Sequence, residues 1–154
     1  MVVGFGDTGG DPGVTTGFKD GNGAYFSLGS DGNVKANILV TFKESAGSED
    51  FINAVAHEGQ HVADRQSVAN AINTDPNFTF PSRQTVRTTE TRAYYVSAMV
   101  AQGRNQETWR PNGYEIWNRA WSKTERMDLI SKGINTVLTK SKSYKDKLNE
   151  PIYK

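Results

Sequence analysis

The only two histidines of this chain stand four residues apart, at positions 57 and 61, in the segment HEGQH. Residues i and i+4 of an α-helix are about 40° apart around the helix axis, so both imidazoles project from one face and can bind one ion. Glu58 is turned away from them by roughly a quarter turn, too far to bind that ion but close enough to reach a metal-bound water. The spacing therefore predicts a helix that carries a zinc site.

The residues around this motif have the pattern of a helix. Ser48 is a candidate N-cap, and Glu49 and Asp50 place negative charge in the first turn. Apolar residues at helical spacing predict a helix over residues 49–72; they are Phe51, Val55, Val62, Ala69 and Ile72. Glu58 falls on this apolar stripe, where an isolated carboxylate is costly, and this favours a functional site over an ordinary surface helix.

The zinc site needs a third protein ligand. Because the chain has no cysteine and no other histidine, this ligand has to be a carboxylate. Glu90 is the preferred candidate. It lies in a second predicted helix, roughly residues 85–102, among small or apolar residues on one face: Val86, Ala93, Tyr94, Ser97 and Ala101. Such a face lets another helix approach closely, and a carboxylate in its middle needs a cation.

Three other carboxylates remain alternatives for the third ligand: Asp64, Asp75 and Glu107. Asp64 lies about 10 Å along a straight helix from His57, too far to share one ion with it. We therefore interpret Asp64 as a hydrogen-bond acceptor for His61 or, equally, as a solvated surface residue.

The rest of the chain predicts a small α+β protein with one domain over residues 1–154. Ten of the fifteen glycines fall between Gly4 and Gly32, so residues 1–33 are expected to form turns and short strands. Residues 34–140 are expected to form the core, beginning with a strand from Val34 to Phe42. A capping box at Ser122 and Glu125 predicts a third helix. Residues 141–154 are expected to form a solvated or frayed basic tail. Trp109, Trp117 and Trp121 are expected to fill the core.

The segments HEGQHVAD and TETRAYYVSA, within roughly residues 35–103, resemble the gluzincin-type zincins, a group of HExxH zinc metallopeptidases that includes thermolysin. The resemblance implies that the chain hydrolyses peptide bonds and that it binds Zn²⁺ through His57, His61 and Glu90. It also implies that Glu58 is the general base that takes a proton from zinc-bound water. The gap from His61 to Glu90 is longer than in thermolysin, and the second domain of that enzyme is absent. The strand before the metal helix resembles the zincin edge strand that pairs with extended substrate.

In such a hydrolysis, negative charge develops on the oxygen of the attacked carbonyl, and this oxyanion needs a further hydrogen-bond donor. Tyr94 is the preferred candidate because it falls nearest Glu90 on the helix, and the alternatives are Arg92, Tyr95 and Tyr114. Each tyrosine is also a candidate for an ordinary core or surface aromatic.

The compact size and glycine-rich start also resemble toxin or effector peptidase domains of large bacterial secreted proteins. That resemblance implies a protein or peptide substrate, a cognate immunity or inhibitor protein, and delivery outside the producing cell or into a target cell. The net charge of +1 gives no indication of a nucleic-acid surface, and neither a signal peptide nor a membrane span is expected. Two other functions stay open: a zinc amidase acting on peptidoglycan or another non-protein amide, and a metal-stabilised binding domain without catalysis.

Overall fold

The computed structural model describes residues 1–17, 25–80, 84–106, 108–109, 117–118 and 122–152. The fold is mixed α+β, with short N-terminal strands followed by three helices, as the sequence predicts. The chain divides into two compact units, Met1–Phe80 and Pro81–Lys154. That all 154 residues form one domain stays a prediction.

The first unit contains a three-stranded sheet in the order β1-β5-β2. The central strand β5, Ile38–Phe42, pairs in parallel with β1, Val2–Phe5, and antiparallel with β2, Gly13–Gly17. Side chains alternate between the two faces of a strand, and every second residue of β5 is buried. The core of this unit consists of Ile38, Val40, Phe42 and Ala54.

The strand predicted from Val34 to Phe42 is two strands in two different sheets. β4, Val34–Ala36, pairs antiparallel with β3, Phe26–Leu28, and the backbone N–H of Asn37 then donates to the Tyr25 carbonyl at 2.9 Å. β5 begins only after this residue. For β5 the expectation of an edge strand is wrong, because β5 has a neighbour on both sides, whereas β4 belongs to a two-stranded sheet among the described residues.

Helix α1 spans Ser48–Thr74, close to the predicted bounds. Glu49 and Asp50 lie in its first turn as expected, but the N-cap is Gly47, and Ser48 is already helical. At the other end of α1, the Asn73 side chain accepts from Val34 N at 2.7 Å and donates to Val34 O at 3.0 Å. This pair of bonds ties the last turn of α1 to β4.

The second unit contains helices α2, Val86–Gly103, and α3, Lys123–Lys140, with the short strands β6, Thr108–Trp109, and β7, Trp117–Asn118. Both helices begin with a capping box, and that of α3 uses the predicted pair Ser122 and Glu125. Trp109 is 2% exposed, which confirms its place in the core. The buried cluster consists of Tyr94, Ala98, Ala101, Trp109, Ile130, Ile134, Val137, Leu138 and Leu148.

The segment after Lys140 differs from the predicted tail. Lys142, Lys145 and Lys147 are exposed as expected, but Leu148 is buried in the core of the second unit. The carbonyls of Leu148 and Glu150 accept from the backbone N–H groups of Arg87 and Val86, at 2.9 and 3.1 Å. These are N–H groups of the first turn of α2, which have no partner within the helix. The segment therefore completes the start of α2.

Glu107, Tyr114 and Trp121 lie outside the described residues, and so does the side chain of Trp117. Within the part of the chain that the structure describes, no helix has the length and apolar character needed to cross a membrane.

Candidate metal centre

His57 and His61 face each other on consecutive turns of α1. Their Nε2 atoms are 3.2 Å apart, and the ring centroids are 4.9 Å apart with 79° between the ring planes. The helical spacing of four residues brings the two rings to the same side, as expected from the sequence. The two Nε2 atoms are therefore close enough to bind one ion together.

The histidines belong to the buried face of α1. Around an ideal helix, the buried residues of α1 fall within an arc of about 140°, and His61 is half-buried within the same arc. The buried residues are Ala54, His57, Glu58, Asp64, Val68 and Ala69. This face is apolar at its two ends and polar in its middle. The predicted apolar stripe was therefore partly wrong: Val55, which was assigned to it, is 43% exposed.

Glu58 is 5% exposed, so its expected burial is confirmed. Strand β2 lies directly against this residue. A Cβ atom built on Gly13 would stand 3.2 Å from Glu58 Cγ, and the hydroxyl of Thr15 donates a weak hydrogen bond to the Glu58 carbonyl at 3.4 Å. Residues 13 and 15 point to the same face of β2 because side chains alternate along a strand. One face of β2 therefore lies against Glu58, with Gly13 beside its side chain and Thr15 bonded to its carbonyl.

Asp64 is 8% exposed, so its interpretation as a solvated surface residue is wrong. Its Oδ1 accepts a hydrogen bond from Gln60 Nε2 at 2.8 Å. Residues i and i+4 are neighbours on a helix, which is why Gln60 reaches Asp64. That Asp64 also accepts from His61 stays a prediction.

In the second unit, Glu90 is half-buried on α2. The predicted small-residue face is present, since Ala93, Ser97 and Ala101 are all buried. His57 and His61 belong to the first unit and Glu90 to the second, and the assignment of Glu90 as the third ligand stays a prediction. Asp75 is not suited to be the third ligand, because it is the exposed C-cap of α1, fourteen residues after His61 and about 20 Å along the helix.

The aromatic candidates for oxyanion stabilisation belong to the core of the second unit. Tyr94 is 5% exposed and makes edge contacts with Trp109 and Tyr144, at centroid distances of 6.1 and 6.4 Å. The hydroxyl of Tyr95 donates to the Met127 sulfur at 3.2 Å. Both rings therefore have a packing role. Arg92 is exposed on α2. The assignment of Tyr94 as oxyanion donor stays a prediction.

No protein-family model, no curated protein and no solved structure matches this chain. The resemblance to gluzincins stays a prediction based on the sequence motifs.

Two contacts of the candidate centre were not predicted from the sequence. The Gln60 to Asp64 hydrogen bond could have been anticipated, because the two side chains have the i, i+4 spacing of a helix. The contact of Gly13 with Glu58 could not, since Gly13 is one of ten glycines in the first 32 residues and nothing local distinguishes it from the others.

Proposed function

We propose that this chain is a zinc-dependent peptidase in which His57, His61 and Glu90 bind the zinc ion and Glu58 is the general base. The observation that carries the proposal is the separation of 3.2 Å between the Nε2 atoms of His57 and His61. Two nitrogens bound at about 2.0–2.1 Å to one tetrahedral zinc lie roughly 3.3–3.4 Å apart. The pair is thus close to the spacing that a zinc ion requires before any ion is added.

The chemistry of the pair is compatible with a bound cation. A neutral imidazole has one nitrogen that donates and one that accepts. At 3.2 Å, the two Nε2 atoms are joined either by a hydrogen bond, when one ring carries its proton on Nε2, or by a metal ion that both lone pairs bind. A zinc ion accepts both lone pairs and leaves each Nδ1 to donate a hydrogen bond, as is usual for histidine ligands.

Glu90 supplies the carboxylate of the proposed ligand set. Among the described residues, the His57, His61 and Glu90 side chains offer two nitrogens and one oxygen, a donor set that suits zinc with one position left open. Asp64 is too far along α1 from His57 to share an ion with both histidines. Asp64 supports the site through the helix instead, because it is buried and bonded to Gln60.

Bound zinc would supply a Lewis acid that polarises a substrate carbonyl and lowers the pKa of a water molecule. The role of Glu58 is to accept the proton that the attacking water gives up and to pass it to the leaving amine. The position of Glu58 suits this role. It follows His57 directly on α1, yet it is rotated about 100° from it, so its carboxylate is beside the ligand face and not part of it. Tyr94 is the proposed donor to the developing oxyanion.

Catalysis is favoured over a purely structural metal site by the burial of Glu58. A metal-stabilised binding domain without catalysis would not require Glu58 in addition to the metal ligands. Burying a carboxylate on a helix face is costly, so its presence there favours a catalytic role. An amidase acting on a non-protein amide would use the same residues, so the substrate has to be tested directly. The proposed bacterial toxin or effector context, with a protein substrate and an inhibitor protein as partners, rests on the sequence alone.

The test is hydrolysis by the zinc-loaded protein. We expect it to cleave a denatured, fluorescently labelled protein, to lose this activity with a chelator, and to regain it when zinc is restored. Purified peptidoglycan is the parallel substrate, and Glu58→Gln is the matched inactive control. Release of fragments from peptidoglycan but not from the protein substrate would contradict the peptidase and support the amidase. Zinc binding without turnover of either substrate would contradict both enzymes and support the structural metal site.

A further inference from the structure

Gly13 lies where a side chain has no room. A Cβ atom at this position would stand 2.9 and 3.1 Å from two ring carbons of Phe42 and 3.2 Å from Glu58 Cγ. Carbon atoms in favourable contact are about 3.5–4.0 Å apart. A side chain at position 13 would therefore force the Phe42 ring, the Glu58 side chain or the strand backbone to shift.

The backbone at this point is held firmly. Gly13 pairs with Phe42 on the central strand β5, and the neighbouring Pro12 carbonyl accepts from Lys43 N at 3.0 Å. Two residues along the same strand, the hydroxyl of Thr15 reaches the Glu58 carbonyl. The sheet thus fixes β2, which bonds to the Glu58 carbonyl through Thr15 and lies beside the Glu58 side chain at Gly13.

We infer that Gly13 is a positioning residue, which sets the place of the Glu58 carboxylate because its lack of a side chain leaves room for the Glu58 Cγ atom. The carboxyl carbon of Glu58 is bonded directly to Cγ, so moving Cγ moves the carboxylate with it. The inference deepens the proposed function and rests on it, because the position of Glu58 affects turnover only if Glu58 is the base. The contact itself does not depend on that function.

The first arm of the test needs no activity and no metal. In the zinc-free protein, selective ¹³C labelling of glutamate gives a carboxyl resonance for Glu58, which is assigned by its loss in Glu58→Gln. We expect Gly13→Ala to shift this resonance. Gly4→Ala is the matched control, because Gly4 lies in β1 of the same sheet, pairs with Thr41, and has nothing within 4 Å of an added Cβ. It should leave the resonance unchanged.

The second arm uses turnover. A misplacement of about 1 Å in a catalytic group costs roughly 100-fold in rate, so a shift of several tenths of an ångström should lower kcat about 10-fold or more. The zinc affinity and KM of Gly13→Ala should stay within about threefold of the unchanged protein, because the contact involves neither histidine. In a Glu58→Gln background, Gly13→Ala should have no further effect on residual turnover.

A variant of Phe42 distinguishes the effect of the Phe42 ring from that of Glu58, the two side chains beside Gly13. Phe42→Leu removes the ring carbons but leaves the close approach of the Cβ added by Gly13→Ala to Glu58 Cγ. If the ring alone explains the effect, Phe42→Leu restores the Glu58 resonance and kcat in the Gly13→Ala protein, and the inference is wrong. We expect no restoration. Should Gly13→Ala fail to fold, the double variant is compared with Phe42→Leu alone and answers the same question.

Besides restoration by Phe42→Leu, two outcomes overturn the inference. One is an unchanged Glu58 resonance in Gly13→Ala, and the other is an equal shift in Gly4→Ala. Failure of the proposed function looks different: the unchanged protein then hydrolyses nothing, while the resonance of Glu58 still responds to Gly13→Ala.

Discussion

Asp64 accepts a hydrogen bond from Gln60, one turn earlier on α1, with 2.8 Å between Gln60 Nε2 and Asp64 Oδ1. The bond ties Asp64 to the turn that carries His61, which directly follows Gln60. Because Asp64 is buried, its carboxylate depends on such partners more than an exposed one would. Asp64 is therefore expected to support the candidate centre from the helix, and Glu90 to act as a ligand.

This division of roles can be tested by zinc affinity. Glu90→Ala leaves two imidazoles as protein ligands, so the affinity should fall by more than about 100-fold, whereas Asp64→Ala should cost roughly 10- to 100-fold. Competition titration with a zinc chelator measures both. Glu125→Ala serves as the control, since Glu125 is an exposed capping residue of α3. A loss of zinc in Asp64→Ala but not in Glu90→Ala would reverse the assignment.

The metal content of the protein is the second prediction. With two imidazoles and one carboxylate, the protein should retain about one zinc ion per chain after mild dialysis. Added zinc should raise the melting temperature of the metal-free protein, because an ion that binds only the folded state stabilises it. Elemental analysis and thermal melts measure the two effects. His57→Ala and His61→Ala should abolish both, and an unchanged zinc content in either variant would contradict the site.

The third prediction separates the base from the ligands. Glu58→Gln should keep zinc and lose turnover by about 100-fold or more, because a neutral amide cannot accept the proton of the attacking water. The fold should tolerate the change, since glutamine has nearly the same shape. Zinc content, circular dichroism and the rate of hydrolysis are measured on one preparation. Turnover equal to that of the unchanged protein would exclude Glu58 as the base.

The fourth prediction concerns the core of the second unit. Ile130 on α3 is completely buried, so Ile130→Ala should lower the free energy of unfolding by about 2–5 kcal/mol. Thr139→Ala, at an exposed position of the same helix, should change it by less than about 0.5 kcal/mol. Urea denaturation followed by tryptophan fluorescence measures the difference. Similar effects of the two variants would mean that Ile130 does not lie in a packed core.

The fifth prediction concerns the hydrogen bonds that link the C-terminal end of α1 to β4. Asn73→Ala removes both side-chain hydrogen bonds to Val34. Each such bond contributes about 0.5–1.5 kcal/mol, so the loss of the pair should destabilise the protein by roughly 1–3 kcal/mol. Asn70→Ala is a suitable control, because its side chain contacts Gln66 on the same helix and not the sheet. Urea denaturation of both variants gives the comparison, and equal stabilities would show that the link contributes nothing.

The sequence by itself determined the features that depend on neighbouring residues along the chain. The four-residue spacing of His57 and His61 fixes their common face on a helix, and the Ser122 and Glu125 pair marks the start of α3. Both are local, because a helix closes its hydrogen bonds within about four residues. The helix bounds and the burial of Glu58 followed from the same periodicity.

The tertiary structure decided what depends on residues far apart in the sequence. The apolar run from Val34 to Phe42 reads as one strand, but its two halves pair with different partners, and strand pairing is not encoded locally. Gly13 acquires its significance only because β5 brings the Phe42 ring, and α1 the Glu58 side chain, to the same place. Asp64 is buried although its local pattern fits a surface residue equally well, because burial depends on what packs against the helix.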